Sequence, residues 1–170
     1  MNTDTSSEQH LWPLVKDIKF AMFTTHHGNS VLHSRPMTTQ NKEMPDDKLW
    51  FFMSIKGGPV QEIVKQAEVN LAYADLAKDT FVSVSGTAQV VDDKPKREAL
   101  WNKFAEAWFP GGVNDPDLAL VRVTVNHAHY WNVRENKLTQ LLVMAKAAFT
   151  GEKVSLGESG EASLGSGSKS

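Results

Sequence analysis

The sequence predicts a mainly β fold with peripheral α-helices, built as an antiparallel barrel. Three observations carry that reading. Six strand-like runs occur between Phe20 and Val133, separated by turn residues or short helical patches. Several connections are shorter than the dozen residues that a parallel βαβ crossover needs. Of the 170 residues, 41% are hydrophobic, which is enough to fill one core.

Residues 1–6 read as a flexible N-terminus, residues 7–150 as the folded domain, and the Gly/Ser-rich residues 151–170 as a disordered tail. The stretch "SSEQHLWPLVKDI" predicts a helix with Ser6 or Ser7 as cap and Leu11, Leu14, Val15 and Ile18 on one side; Pro13 belongs in its first turn. "FAMFTTHHGNSVLHSRPMTT" reads as a hairpin turning at "HHGNS". "KLWFFMSI" (48–55) is continuously apolar, as in a strand buried on both faces or lining a pocket. Two strands follow at 69–75 and 80–93; Gly86 in the second marks a bulge or a close backbone approach. The last run, 118–133, alternates Val121, Val123 and Val125 with Arg122, Thr124 and Asn126. Helical patches are expected at 59–67, 94–109 and 137–151. The second of these carries the stripe Leu100, Trp101, Phe104 and Trp108, with Asp92 or Asp93 as cap.

Composition excludes several function classes. Eighteen Lys+Arg against twenty Asp+Glu leave a net charge of −2, so no basic excess favours nucleic acid. The absence of cysteine removes disulfides, zinc–thiolate sites and Cys nucleophiles, and suits a reducing cytoplasm. The polar start "MNTDTSSEQHLW" is no secretory signal, and no run approaches the ~20 apolar residues of a membrane helix. No nucleophile motif, phosphate loop or dinucleotide fingerprint is present.

The residue that most needs explaining is Arg35, in "VLHSRPMTTQ". Its guanidinium stays charged and must meet a carboxylate, a phosphate or water. Pairing with an acid such as Asp75 is the plain reading. His26 and His27 fall at a turn, where solvent would take them. His127 and His129 share one face of a strand, but no third ligand is placed by the sequence, so no metal is expected. The helical stripe at 100–108 reads mainly as core packing, with Trp108, beside Pro110, free to face a ligand.

At "HSRPM", "LWFFMS", "VNLAYAD", "VSVSGTAQVVDD", "WNKFAEAWFPGGVNDPD" and "HYWNV" the chain resembles the FMN-binding split-barrel proteins related to pyridoxamine 5′-phosphate oxidase, in their general stress protein branch. The resemblance runs from about Leu11 to about Phe149. It implies a six-stranded antiparallel split β-barrel, a homodimer, and FMN (or FAD in its place) in a groove between subunits. His33, Ser34, Arg35 and Pro36 match the family's second strand, and Arg35 would hold the flavin by its phosphate or pyrimidine edge. Trp50, Phe51, Phe52 and Met53, with Ser54 beyond them, match the next strand, whose backbone approaches the ring. Trp108 resembles an aromatic reaching over the cofactor. The family's lysine before the short helix is absent, because "GGPV" stands where relatives resemble "SPKV"; Lys56 is the nearest replacement, and Gly57 and Gly58 could offer backbone N–H groups. The resemblance implies a flavin-dependent oxidoreductase on an unidentified small molecule, or a non-catalytic flavin-binding stress protein. No catalytic residue is assigned. Pyridoxamine 5′-phosphate oxidase activity itself is not expected, since after Trp131 the chain offers only Arg134 and no histidine to grip a substrate phosphate.

Overall fold

The computed structural model describes residues 6–132 and 158–163. The elements run α1 (Ser6–Val15), β1 (Phe20–Gly28), β2 (Val31–Thr38), β3 (Lys48–Ser54), α2 (Gly58–Lys65), β4 (Glu68–Asp75), β5 (Thr80–Val91), α3 (Lys94–Leu100), α4 (Lys103–Glu106), a 3₁₀ turn (Gly112–Asn114), β6 (Leu118–Asn132) and β7 (Glu158–Ser163). All strand pairs are antiparallel, in the order β2-β1-β4-β5-β6-β3. The two end strands, β2 and β3, meet through a single bridge, Thr39 to Phe51, reinforced by the Gln40 N–H donating to the Trp50 carbonyl at 2.8 Å. The sheet therefore curls into a barrel that is closed at one point of this seam and split beside it, as the sequence predicts.

Strand alternation fills the interior. Ala21, Phe23 and Thr25 of β1 and Leu71 and Tyr73 of β4 point inward, with Val82, Val84 and Ala88 of β5 and Val121, Val123 and Val125 of β6. Phe23 and Phe51 pack edge to face, centroids 5.1 Å apart. Strand β3 is buried on both faces and its last three residues also line a groove, so both readings of its apolar run hold. Leu49, Phe51 and Met53 join the interior, while Trp50 and Phe52 join a second cluster with Leu100, Ala105, Phe109, Leu118 and Leu120 on the outside. Gly86 sits at a bulge where Ser85 faces His127 but Gly86 faces Val125. A Cβ there would lie 2.5 Å from the Thr124 carbonyl oxygen, so only glycine fits.

Four expectations change. Pro13 lies near the end of α1, not in its first turn; Leu11 and Val15, buried on either side of it, hold that last turn against the barrel. The expected helix 94–109 is two helices, broken at Trp101 and Asn102. Asn102 is extended (φ −153°) and its side chain accepts from the N–H groups of Phe104 and Ala105, restarting the chain as α4. Asp93 caps α3 by accepting from the Lys96 N–H. Residues 158–163, within the stretch read as tail, form β7 along the far half of β6, from Ser163 opposite His127 to Glu158 opposite Asn132. Pairing with β3 stops at Thr124, so β6 continues as an edge whose backbone groups need partners. Last, β1 runs to Gly28, which puts His26 and His27 in a strand rather than the turn; the turn itself is Gly28, Asn29 and Ser30, all at positive φ. The helix expected at 137–151 lies outside the described residues.

Candidate functional site

Two places on the barrel gather functional groups. The first is the inner face of β1 and β2 near α2. Thr25 is fully buried and pairs across the ladder with His33, so His33 and Arg35 share its face. The amphipathic helix α2 turns Val60, Glu62 and Ile63 inward, and its Glu62, only 9% exposed, reaches this cluster. Arg35 Nη1 donates to Thr25 Oγ1 at 2.7 Å and to Glu62 Oε2 at 3.0 Å. The Thr25 hydroxyl donates to the same carboxylate oxygen. His27 Nδ1 lies 2.6 Å from Glu62 Oε1. An ionised carboxylate only accepts, so His27 carries the proton on Nδ1. Arg35 Nη2 approaches His33 Nδ1 at 3.2 Å, which makes that nitrogen an acceptor. Burial pushes the Glu62 carboxyl up, but hydrogen bonds from His27, Thr25 and Arg35 outweigh it and hold the group at about 2.

Arg35 therefore holds a carboxylate, from Glu62 rather than from Asp75, which instead accepts from the Ala77 and Lys78 N–H groups. His27 is bonded, not simply solvated. His27, His33 and Glu62 bring possible ligand atoms within 4.8 Å of one another. Both Glu62 oxygens are already engaged, however, and a fixed guanidinium lies beside them. The network closes on itself as an ion-pair cluster.

The second place is on the outer face, in the seam between β2 and β3. A groove of about 350 Å³ is lined by Pro36 and Thr38 of β2, Phe52, Met53 and Ser54 of β3, and Phe104, Trp108 and Phe109 beyond the helix break. Met37, Gln40, Gly57, Pro59, Ala105 and Asp117 complete its lining, Met37 and Met53 entering from the interior face through the split in the seam. Phe104 and Trp108 are 74% and 81% exposed, while the neighbouring Ala105 and Phe109 anchor the segment in the outer cluster. The helix break makes this arrangement. A continuous helix would have carried Phe104 and Trp108 on the stripe with buried Leu100. At the other end, Ser54 Oγ donates to Asp117 at 2.8 Å, and α2 begins at Gly57 with no side-chain cap.

Of the residues singled out in the sequence, Pro36, Phe52, Met53, Ser54 and Trp108 line this groove. His33 and Arg35 do not: Met37, on their face of β2, reaches the lining, but Arg35 is held by Thr25 and Glu62, and His33 by Arg35. Ser34 shares the outer face of β2 but bonds to Thr24 Oγ1 at 2.7 Å, away from the lining. Phe51 is fully buried in the interior, and Lys56 is exposed and outside the lining. The sequence reading missed Glu62, Gln40, Phe104 and Phe109 as site groups. Asn102, a strong N-cap residue before "KFAE", was the available signal for the last two. His127 and His129 lie on β6, with His129 stacked on Trp131 at 4.9 Å. Among the described residues, no helix is long and apolar enough to cross a membrane.

The fold has counterparts in known proteins. The crystal structure of the general stress FMN/FAD binding protein from Xanthomonas citri is 30% identical, covers 88% of this chain and 97% of its own, and superposes with a TM-score of 0.67. A protein from Clostridium acetobutylicum related to general stress protein 26 shares the fold at 23% identity and a TM-score of 0.65, over 78% of this chain and 93% of its own. Protein bli-3 of Neurospora crassa is 27% identical over 143 residues, which are 79% of this chain and 68% of that protein. The sequence profile of the pyridoxamine 5′-phosphate oxidase-like family matches residues 6–155, and on that breadth of match, with the split barrel observed, the chain belongs to this family.

Proposed function

We propose that the outer groove binds a flavin, FMN or FAD, and that the protein is a flavin-dependent oxidoreductase acting on a small molecule. The observation that carries this reading is the groove itself. It joins aromatic and apolar walls (Phe52, Phe104, Trp108, Phe109) to a few polar groups (Thr38, Gln40, Ser54), as a planar heterocycle requires. The 30% identical Xanthomonas protein, which binds FMN or FAD, adds weight.

The residues present fit the ring better than the phosphate. Among the described residues, no lysine or arginine lines the groove, and Asp117 lies on its rim. The backbone at the start of α2 does not replace the family's lysine in the lining, since the Gly57 N–H already donates to the Ser54 carbonyl at 3.0 Å and Pro59 has no N–H. A bound flavin would supply the redox chemistry; the chain's residues would position it and keep water from its face. Arg35 acts at one remove in this reading. Its pairing with Glu62 and Thr25 holds β2 in register, so that Pro36 and Thr38 face the seam.

The protein is proposed to work as a homodimer in the cytoplasm. In support, Phe20 and Met22 leave an apolar outer row on β1 beside Pro36 and Thr38, and Phe104 and Trp108 stand exposed on the groove's open side. The test is a visible absorption spectrum of purified protein before and after adding FMN, with light scattering for mass. Flavin bands that co-elute with a dimer are expected. A folded protein that takes up neither FMN nor FAD at micromolar concentration overturns the reading. Turnover of bound flavin with NAD(P)H or oxygen separates an oxidoreductase from a flavin-sensing protein.

A further inference from the structure

A cavity of about 390 Å³ lies where the end of β5 and the start of β6 meet α3 and the 3₁₀ turn. It shares no lining residue with the groove. Val90, Val91, Leu118 and Leu120 give it apolar walls, and among the described residues Arg97 of α3 is its only cation. The Arg97 side chain is 19% exposed, and its Nε is shut off from solvent without a hydrogen-bond partner. The carboxylate within ion-pair distance, Asp92, stands 3.6 Å from Nη2, beyond hydrogen-bond reach, and is itself 98% exposed. So exposed a partner contributes little. The other acid of the lining, Asp115, is spent on the turn, where it accepts from the Gly111 and Asp117 N–H groups, each at 2.9 Å. Two ordinary reasons for an arginine here explain only part of this. A cation in the last turn of α3 complements the helix carbonyls, and its methylene stem covers apolar wall. Neither satisfies the donors of the head, and a donor screened from water without an acceptor costs free energy. Arg122 also has a solvent-excluded Nε, but its Nη2 donates to Gln89 at 2.6 Å and it does not line the cavity.

We propose that this cavity is a binding site for a small aliphatic monocarboxylate, its carboxylate on Arg97 and its chain along Val90, Val91, Leu118 and Leu120. A guanidinium presents parallel N–H groups that match the two oxygens of a carboxylate. One cation suits one negative charge. The carboxylates of Asp92 and Asp115 in the same lining would repel the second charge of a phosphate dianion. Asn114 adds an exposed side-chain amide to the lining, a donor for an oxygen that Arg97 leaves open. The site stands whether or not the groove takes a flavin.

The test is a heteronuclear NMR titration of the full chain with hexanoate, the neutral hexanamide, acetate and inorganic phosphate. It follows the Arg97 Nε–H resonance, identified by its loss in Arg97→Lys. Circular dichroism with a thermal melt checks that each variant is folded. Hexanoate should move that resonance and bind about tenfold or more tighter than hexanamide, and also tighter than acetate, which lacks the chain. Arg97→Gln should weaken hexanoate by about tenfold or more. Arg97→Lys, which keeps the charge but loses the fork, should fall between. Lys96→Gln, which removes a neighbouring cation resting over Trp50, should leave hexanoate affinity unchanged. If Arg97→Gln does not fold, Arg97→Lys and the comparison of hexanoate with hexanamide in the parent decide the matter. An Arg97 resonance unmoved by millimolar hexanoate overturns the proposal, as do hexanoate and hexanamide binding alike. So does equal weakening by Arg97→Gln and Lys96→Gln, which would mean general attraction to surface charge. Phosphate binding more tightly than hexanoate would make this a dianion site and overturn the carboxylate assignment.

Discussion

The inner cluster around Glu62 and the groove around Trp108, which opens mainly on the outer side, share the strand β2 and invert what their residue types suggest. The inner face holds a guanidinium, two imidazoles and a carboxylate, the groups usually sought in a ligand site, yet both carboxylate oxygens, the guanidinium and one nitrogen of each imidazole are already bonded within the cluster. The outer face offers phenylalanines and a tryptophan, groups usually read as core, yet two of them stand in solvent around a groove. A charged group buried with its counter-charge stabilises; an aromatic left exposed beside a cavity is available. The difference teaches that function on this barrel is located by which groups remain unpartnered, not by which are reactive.

The largest effect expected is from Glu62→Ala. It leaves Arg35 and Thr25 without their acceptor in a mostly buried place and should cost about 3–5 kcal/mol in denaturant unfolding. A loss under about 1 kcal/mol would break the contrast by showing the inner cluster to be loosely solvated. Acid should do the same reversibly. The Glu62 carboxyl falls from 4.5 to about 2 on folding, so its contribution is fully present above pH 4.5 and is lost as pH drops towards 2. The fall corresponds to about 3 kcal/mol. Stability measured at pH 5, 4, 3 and 2 should decline more steeply in the parent than in Glu62→Gln; parallel curves would assign the acid sensitivity elsewhere.

Arg35→Ala sharpens the comparison. It should cost about 2 kcal/mol of stability and change FMN affinity less than about threefold, since the side chain lies off the groove. A hundredfold loss of FMN affinity with unaltered stability would return Arg35 to the flavin. The smallest stability effect belongs to Trp108→Ala, within about 0.5 kcal/mol because the ring is 81% exposed. The same change should weaken FMN about tenfold through lost ring contact, read by fluorescence titration. FMN binding unaffected by that substitution would leave the groove without its outer wall.

Much of the fold was legible because its signals are local. Alternation along 118–133, the unbroken apolar run at 48–55, the cap at Asp93 and the bulge at Gly86 all depend on residues a few positions apart. The groove was legible only in part. Pro36, Phe52, Met53, Ser54 and Trp108 could be named, but the break at Asn102 that swings Phe104 and Trp108 outward depends on the second cluster. There Ala105 and Phe109, rather than Trp108, are drawn in. The partner of Arg35 was not legible at all, because Glu62 lies 27 residues on and one helix away. Nor was β7, whose "ESGEAS" has weak strand propensity and is recruited by an open edge.

By itself the amino-acid order determined the six strands of the antiparallel barrel, since most carry their own two-residue alternation and β3 an unbroken apolar run. Only the tertiary structure decided which side of β2 would be enclosed. That choice is collective: Arg35 went inward because Phe23 and Thr25 beside it did, and a carboxylate on α2 was there to meet it.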